Sequence, residues 1–157
     1  MIRRATVVAV GKLKGWADEG CDDYLKRLRR SFPVDVIEVA EEDMNRHAPS
    51  EVLVAEGERI SRRIPSNSYV IVLDRASGKV VDSEGISSRL ASLGLSGSSH
   101  VTFVLGGPLG LADDVVRKAK EAWSLGRITL PHALARVVLL EQLYRAAKIA
   151  RNEKYHW

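Results

Sequence analysis

Cysteine is nearly absent from this 157-residue chain, since Cys21 is the only one. A single cysteine excludes an internal disulfide and any zinc site built from several cysteines of one chain. It also favours a reducing compartment, and we expect Cys21 to be structural or incidental. The four histidines show neither an H-x-x-x-H nor an H-E-x-x-H spacing, and there is no G-x-S-x-G sequence. We therefore expect no metal site and no covalent intermediate.

Long apolar segments are also missing. Residues 1–10 carry only a short apolar run and no small-residue cleavage site, which predicts that they are not an export signal. The longest uncharged stretch, residues 90–112, contains five glycines, four serines, a histidine and a proline. Such a segment inserts poorly into a bilayer even though it is long enough to cross one. We expect a cytoplasmic protein without a membrane partner.

Acidic and basic residues balance over most of the chain, and the formal net charge is +4. Residues 1–46 hold nine of each sign, and so do residues 47–126. Residues 127–157 hold six basic and two acidic residues, together with His132 and His156. A basic C-terminal fifth fits a polyanionic partner such as RNA, although a solvated helix face gives the same pattern.

Short valine- and isoleucine-rich runs alternate with helical patterns. Strands are predicted at residues 7–10, 34–39, 69–73, 101–105 and 128–130, and the charges within 34–39 favour an edge strand. Helices are predicted at residues 16–31, 50–64, 82–93, 113–124 and 133–151. This alternation predicts an α/β fold, a mostly parallel sheet flanked by helices, in a single domain over residues 1–157.

Ligands of open α/β sheets usually lie beyond the carboxyl ends of the strands, which directs attention to residues 74–78, 106–110 and 131–132. The sequence Gly-Gly-Pro-Leu-Gly at residues 106–110 has three glycines and a proline directly after a predicted buried strand. Such a segment adopts special backbone angles with little side-chain bulk, so a flat ligand can lie against the main chain. A tight turn before the next helix is the alternative interpretation.

Two further patterns have simple structural interpretations. The sequence Gly-Lys-Leu-Lys-Gly at residues 11–15 follows the first strand but matches neither the G-x-x-x-x-G-K-[ST] nor the G-x-G-x-x-G spacing, which favours a tight turn with solvated lysines. Glu141 and Arg145 stand four residues apart in the last predicted helix, as in an ordinary helical ion pair. The wide apolar coverage of that helix also suggests burial against a partner subunit.

Several segments, taken together and in order, carry a family resemblance. They are Val-Ala-Val-Gly-Lys at 8–12, Val-Leu-Asp at 72–74 with Ser-Gly-Lys at 77–79, Gly-Gly-Pro-Leu-Gly-Leu at 106–111, residues 125–132, the helix 136–146, and Tyr155-His156. The chain resembles, over its whole length, the ribosomal RNA large-subunit methyltransferase H family, the pseudouridine N3-methyltransferases of the SPOUT class. The tail departs from the family pattern, because Lys154 and Trp157 flank the Tyr-His pair.

The resemblance implies an α/β fold with a C-terminal trefoil knot, an S-adenosylmethionine cofactor and a homodimer. It implies as substrate a pseudouridine of 23S rRNA within the assembled ribosome. It also implies cofactor contacts at eight positions, which are Leu73, Gly106, Leu125, Gly126, Arg127, Ile128, Thr129 and Leu130.

The implied reaction needs a group that favours loss of the weakly acidic N3 proton. His156 is the first candidate base, because an imidazole titrates near neutral pH, and His132 is the second. Arg136 or Arg145 is a candidate for stabilising the developing anion. Tyr155 and His156 are candidates for completing the site of the partner subunit.

Two other functions stay open on the sequence. A non-catalytic RNA- or ribosome-binding factor with the same fold would carry the same basic C-terminal segment. A nucleotide-dependent α/β enzyme would instead bind ATP or NAD at the strand ends.

Overall fold

A computed structural model describes residues 1–155 of the chain. The strands are β1 Arg4–Val10, β2 Val34–Val39, β3 Tyr69–Leu73, β4 Lys79–Val80, β5 His100–Leu105 and β6 Glu121–Ser124. The helices are α1 Gly15–Leu28, α2 Pro49–Ser61, α3 Ser83–Leu95, α4 Asp113–Lys118 and α5 His132–Ala150. The strands form one sheet in the order β2-β1-β5-β3-β6-β4, and the pairings between them are parallel. The predicted α/β fold and the edge position of β2 are confirmed.

Helices cover both faces of the sheet. Along β1, Ala5, Val7 and Ala9 point into a core shared with α1, α3 and α5. Val8 and Val10 point to the opposite face, which α2 and α4 cover. The unbroken apolar character of β1 therefore reflects burial on both faces, as in other parallel sheets.

The chain between residues 113 and 130 differs from the sequence-based prediction. The helix predicted to reach residue 124 ends at Lys118, and β6 replaces its second half. The strand predicted at residues 128–130 is wrong, because these residues belong to an irregular loop. The two-residue strand β4 is paired with β6 and was not predicted.

A tertiary hydrogen-bond network explains why residues 121–124 form a strand. The Glu121 carboxylate accepts hydrogen bonds from the Arg89 guanidinium at 2.6 Å, the Tyr69 hydroxyl at 2.9 Å and the Trp123 indole at 2.8 Å. Burial opposes ionisation of Glu121, but these three donors outweigh it and lower the pKa of the carboxyl. Two of the three partners, Tyr69 and Arg89, come from β3 and α3, so the local sequence carries no sign of them.

Three other expectations concern Cys21, membrane-spanning segments and the trefoil knot. Cys21 lies in the core, where burial raises the pKa of its thiol to about 11 and keeps it neutral, in line with a structural role. Among residues 1–155, no helix has the length and apolar character needed to span a membrane. The trefoil knot stays a prediction.

Candidate functional site

A cavity of about 710 Å³ lies at the carboxyl ends of β3, β5 and β6. Its walls come from the β3–β4 turn, the β5–α4 turn and the β6–α5 loop, the three places indicated by the strand ends. Seven of the eight positions expected to contact a cofactor line it, namely Leu73, Gly106, Leu125, Gly126, Ile128, Thr129 and Leu130. Arg127, the eighth, lies in the same loop, and its carbonyl oxygen accepts a hydrogen bond from Arg75 at 3.4 Å.

Two glycines allow the turns beside the cavity to close tightly. A Cβ atom on Gly106 would lie 2.2 Å from the carbonyl oxygen of Gly110, on the far side of the same turn. A Cβ atom on Gly78 would lie 2.4 Å from the carbonyl oxygen of Asp74. Because the atoms in the way are backbone atoms, no side chain fits at either position without moving the turn. The special backbone predicted for residues 106–110 is therefore present.

The β6–α5 loop begins with a buried serine. The Ser124 hydroxyl donates a hydrogen bond to the carbonyl oxygen of Gly126 at 2.9 Å, and Gly126 adopts a φ of 125°. This contact turns the chain immediately after β6, so that the following residues pass along the cavity. Ile128 is 72% exposed, which leaves its side chain available for contact with a ligand.

The lining of the cavity is chemically simple. Leucine, isoleucine, proline and tryptophan side chains form most of the wall, and the polar side chains are those of Asp74, Arg75, Thr129 and His132. No group of histidine, cysteine, aspartate and glutamate in residues 1–155 has an arrangement that would hold a metal ion. Apolar walls with backbone groups at the strand ends suit a flat, largely apolar ligand with polar edges, and the volume is in the usual range for small ligands.

His132 and Arg136 lie one turn apart at the start of α5, but their surroundings differ. His132 lines the cavity, and its Nε2 atom is 3.6 Å from the Glu41 carboxylate. Arg136 is buried, donates to the Glu38 carboxylate at 2.5 Å and donates to the Gly11 carbonyl oxygen at 2.8 Å. Two nitrogen atoms of its guanidinium are therefore engaged with the protein itself.

The Glu38 side chain, which is 34% exposed, is the centre of this contact. Burial opposes its ionisation, but the Leu13 amide, which donates at 3.0 Å, and the Arg136 guanidinium together lower its pKa. The carboxylate thus joins the β1–α1 loop to α5. Arg136 has a positioning role in this arrangement.

We expect Arg136→Met to lower the free energy of unfolding at pH 7 by on the order of 2 kcal/mol, because the partly exposed Glu38 carboxylate loses a charge-assisted hydrogen bond and the Gly11 carbonyl oxygen loses its donor. The loss should shrink as the pH falls below about 4.5, the ordinary pKa of a glutamate, towards the lowered pKa that Glu38 has in the folded protein. Urea unfolding at pH 7 and at a pH below 4.5 measures the loss of unfolding free energy under the two conditions. Adding Glu38→Gln should recover a large part of the loss, whereas an unfolding free energy equal to that of the wild type would contradict the assignment.

Arg145 and Tyr155 lie together near the other end of α5. Arg145 donates to Glu141 at 2.8 Å, which is the predicted helical ion pair, and its guanidinium stands 4.8 Å from the centre of the Tyr155 ring. The Tyr155 ring meets Tyr144 edge to face with 4.9 Å between centroids, and its hydroxyl donates to Glu141 at 3.2 Å. Burial, Tyr24 and Glu141 raise the pKa of Tyr155 to about 12, so it is protonated at neutral pH. The predicted base His156 and the terminal Trp157 lie outside the described residues.

Sequence reasoning missed Glu56, a buried carboxyl next to the Gly106–Gly110 turn. It is 3% exposed, its Oε2 atom accepts from the Glu42 amide at 3.0 Å, and its Oε1 atom has no partner among residues 1–155. Burial raises its pKa. The helical spacing does indicate that Glu56 is buried, because it stands four residues after Val52 and four before Ile60, on the buried face of α2.

Comparison with known proteins places this site in a family. The family model described as "Predicted SPOUT methyltransferase" matches residues 3–156. The chain belongs to the SPOUT methyltransferase family. The family expected from the sequence motifs is thereby confirmed.

Relatives that are similar over nearly the full chain share one protein name. "Ribosomal RNA large subunit methyltransferase H" from Rubrobacter xylanophilus is 63% identical over 158 residues and covers 100% of both chains. The protein of the same name from Ruminiclostridium cellulolyticum is 43% identical and covers 98% of this chain and 99% of its own. The one from Carboxydothermus hydrogenoformans is 45% identical over 96% of this chain and 98% of its own. This SPOUT methyltransferase thus belongs to the methyltransferase H group.

Solved structures show the fold at low sequence identity. A probable methylase family protein from Haemophilus influenzae superposes with a TM-score of 0.57 at 14% identity, over 100% of this chain and 72% of its own. A probable methyltransferase from Bordetella pertussis gives a TM-score of 0.56 at 12% identity, over 93% and 95% of the two chains. The arrangement of the sheet and its helices is therefore also found in these two solved structures.

Proposed function

We propose that this SPOUT methyltransferase uses S-adenosylmethionine to methylate N3 of a pseudouridine in 23S rRNA of the assembled ribosome. The observation that carries the proposal is the cavity at the strand ends, because it gathers seven of the eight expected cofactor positions. The names of the full-length relatives support large-subunit rRNA as the substrate.

The residues of the cavity fit the cofactor. Leu73, Leu125, Ile128 and Leu130 provide apolar walls for an adenine ring, and the closed turn at Gly106 keeps side chains away from it. Main-chain groups at the strand ends suit the polar edge of the adenine and the ribose. The sulfonium of bound S-adenosylmethionine supplies the methyl group that N3 takes up.

The protein residues must then handle the N3 proton. Tyr155 cannot accept it at neutral pH, because its pKa of about 12 keeps the phenol protonated. His156 is the proposed base, and His132, which lines the cavity beside Glu41, is the second candidate. Arg145 is the proposed cation near the substrate. Arg136 acts indirectly, since it is buried against Glu38 and Gly11.

The position of Tyr155 supports a site shared between two subunits. Its ring packs at the level of Glu141 and Arg145, which lie 9 and 13 residues along α5 from His132. At the rise of an α-helix, this separates Tyr155 from the cavity end of α5 by roughly 14–20 Å. We propose that the tail of one subunit completes the cavity of its partner in a homodimer, and that this cytoplasmic enzyme needs no metal.

A non-catalytic ribosome-binding factor with the same fold is the alternative, favoured by the basic segment after residue 126. Isothermal titration separates the two. In this experiment the proposed enzyme should bind S-adenosylmethionine and should bind neither ATP nor NAD. A folded protein that takes up no S-adenosylmethionine would support the binding factor, and one that takes up ATP or NAD would support a nucleotide-dependent enzyme.

A further inference from the structure

The loop between β1 and α1 presents three side chains of a kind that suits RNA. Lys12 and Lys14 are exposed, and Trp16 is 65% exposed at the start of α1. Leu13 and Ala17, which alternate with them, are buried. Neither lysine forms an ion pair with a carboxylate among residues 1–155. This basic–aromatic loop, defined as residues 12–16, therefore directs two ammonium groups and an indole ring outward.

The backbone of the basic–aromatic loop is held in place. The Gly11 amide donates to the carbonyl oxygen of Val39 at 2.8 Å, and the Gly11 carbonyl oxygen accepts from Arg136 at 2.8 Å. The Leu13 amide donates to Glu38 at 3.0 Å. Anchors at residues 11 and 13 fix the direction of the flanking side chains, so less conformational entropy is lost when they bind a partner.

The loop also lies next to the cavity. Arg136, which holds Gly11, directly follows the cavity residue Ala135 on α5. The Glu41 carboxylate lies between the two places, because it is 3.6 Å from His132 and would be 2.6 Å from a Cβ atom on Gly11. An RNA strand whose target base enters the cavity would therefore pass close to residues 12–16.

We propose that the basic–aromatic loop is an rRNA contact, in which Lys12 and Lys14 bind phosphate groups and a base stacks on Trp16. The proposal rests on the proposed function and extends it to how the substrate is held. Phosphates neutralise lysine side chains, and aromatic side chains stack on unpaired bases whatever their identity. A second protein subunit fits less well, because two exposed ammonium groups beside the indole would lose their hydration when buried.

The test compares ribosome binding by matched variants of the full-length chain. The variants are Trp16→Ala, Trp16→Phe and the double substitution Lys12→Ala/Lys14→Ala. The control for the lysines is Lys118→Ala/Lys120→Ala, which removes two exposed lysines at the end of α4 and just before β6. The control for the tryptophan is Leu95→Ala, an apolar residue that is 89% exposed. Affinity for 70S ribosomes is measured by co-sedimentation at several salt concentrations, together with S-adenosylmethionine binding and sedimentation velocity.

We expect Trp16→Ala to weaken ribosome binding by about tenfold, and Trp16→Phe to restore most of the affinity. The double lysine variant should reduce the slope of log K against log salt by roughly 1.4–1.8, the value for two phosphate contacts. The controls should bind as the wild type does. Cofactor affinity should stay unchanged in every variant.

Wild-type ribosome affinity in the loop variants would overturn the proposal, and so would a shift from dimer to monomer caused by Trp16→Ala. Binding does not require methyl transfer, so the two proposals fail separately. A wild-type protein that binds ribosomes through this loop without methylating them would contradict only the proposed reaction. A wild-type protein that methylates ribosomes but is insensitive to the loop variants would contradict only the contact.

Discussion

His156→Ala should reduce methyl transfer to ribosomes by at least about 10²-fold, the usual contribution of a general base. Cofactor binding should be unaffected, because the cavity is formed by residues 73–135. Deletion of residues 155–157 should be at least as damaging. Single-turnover assays at saturating ribosome concentration measure the effect on the chemical step.

The deletion carries a structural cost that the single substitution avoids. It removes the contacts of Tyr155 with Tyr144, Arg145 and Glu141, which together contribute on the order of 1–2 kcal/mol. Tyr155→Phe is the matched control, since it keeps the ring and removes only the hydroxyl.

If higher ribosome concentrations restore the rate of His156→Ala, the histidine is an RNA contact. Full activity of the truncated protein would remove the tail from the mechanism and leave His132 as the base to test.

Gly106→Ala should weaken S-adenosylmethionine binding by at least tenfold, which corresponds to about 1.4 kcal/mol. Even a methyl group at this position would stand 2.2 Å from the Gly110 carbonyl oxygen, so the turn beside the cavity must move. Gly20→Ala in α1 is the control, because its new methyl would meet Val137 at 3.7 Å, an ordinary contact distance. Isothermal titration measures binding, and circular dichroism verifies the fold. Wild-type affinity in a folded Gly106→Ala variant would contradict the placement of the cofactor.

The two substitutions together also test the shared site. When Gly106→Ala and His156→Ala chains are co-expressed, a mixed dimer keeps one intact cavity and one intact tail on different subunits. If the tail acts on the partner's cavity, activity should return to about a quarter of the wild-type level, since half the dimers are mixed and each has one complete site. No recovery in purified mixed dimers would show that the tail serves its own subunit.

The sheet was predictable because its central strands carry their signal locally. Apolar residues, with valine the commonest, fill β1, β3 and β5, which are buried on both faces, and glycine or proline stands close to their ends. Strand β6 was not predictable, because its conformation depends on partners of Glu121 that lie in β3 and α3. Residues 128–130 resemble a strand in sequence, although their isoleucine and leucine side chains line the cavity from an irregular loop.

The candidate site was predictable in part and for two different reasons. The glycine-rich turn indicated a close backbone approach, and Gly106 shows that contact directly. The role of Arg136 could not be inferred from the helix pattern, because its partners Glu38 and Gly11 are more than 90 residues away in the chain. The basic–aromatic loop was interpreted as a solvated turn, since only the structure shows that Leu13 anchors it and that Trp16 is exposed.

Methyl transfer to purified 70S ribosomes, with the modified nucleotide mapped by mass spectrometry, tests the central claim most directly. The wild-type protein with labelled S-adenosylmethionine should place one methyl group on N3 of a single 23S rRNA pseudouridine. It should label naked 23S rRNA far more weakly. A methyl group on another nucleotide would contradict the proposed substrate. A protein that binds S-adenosylmethionine and the ribosome yet transfers no methyl group to it would contradict the enzymatic function.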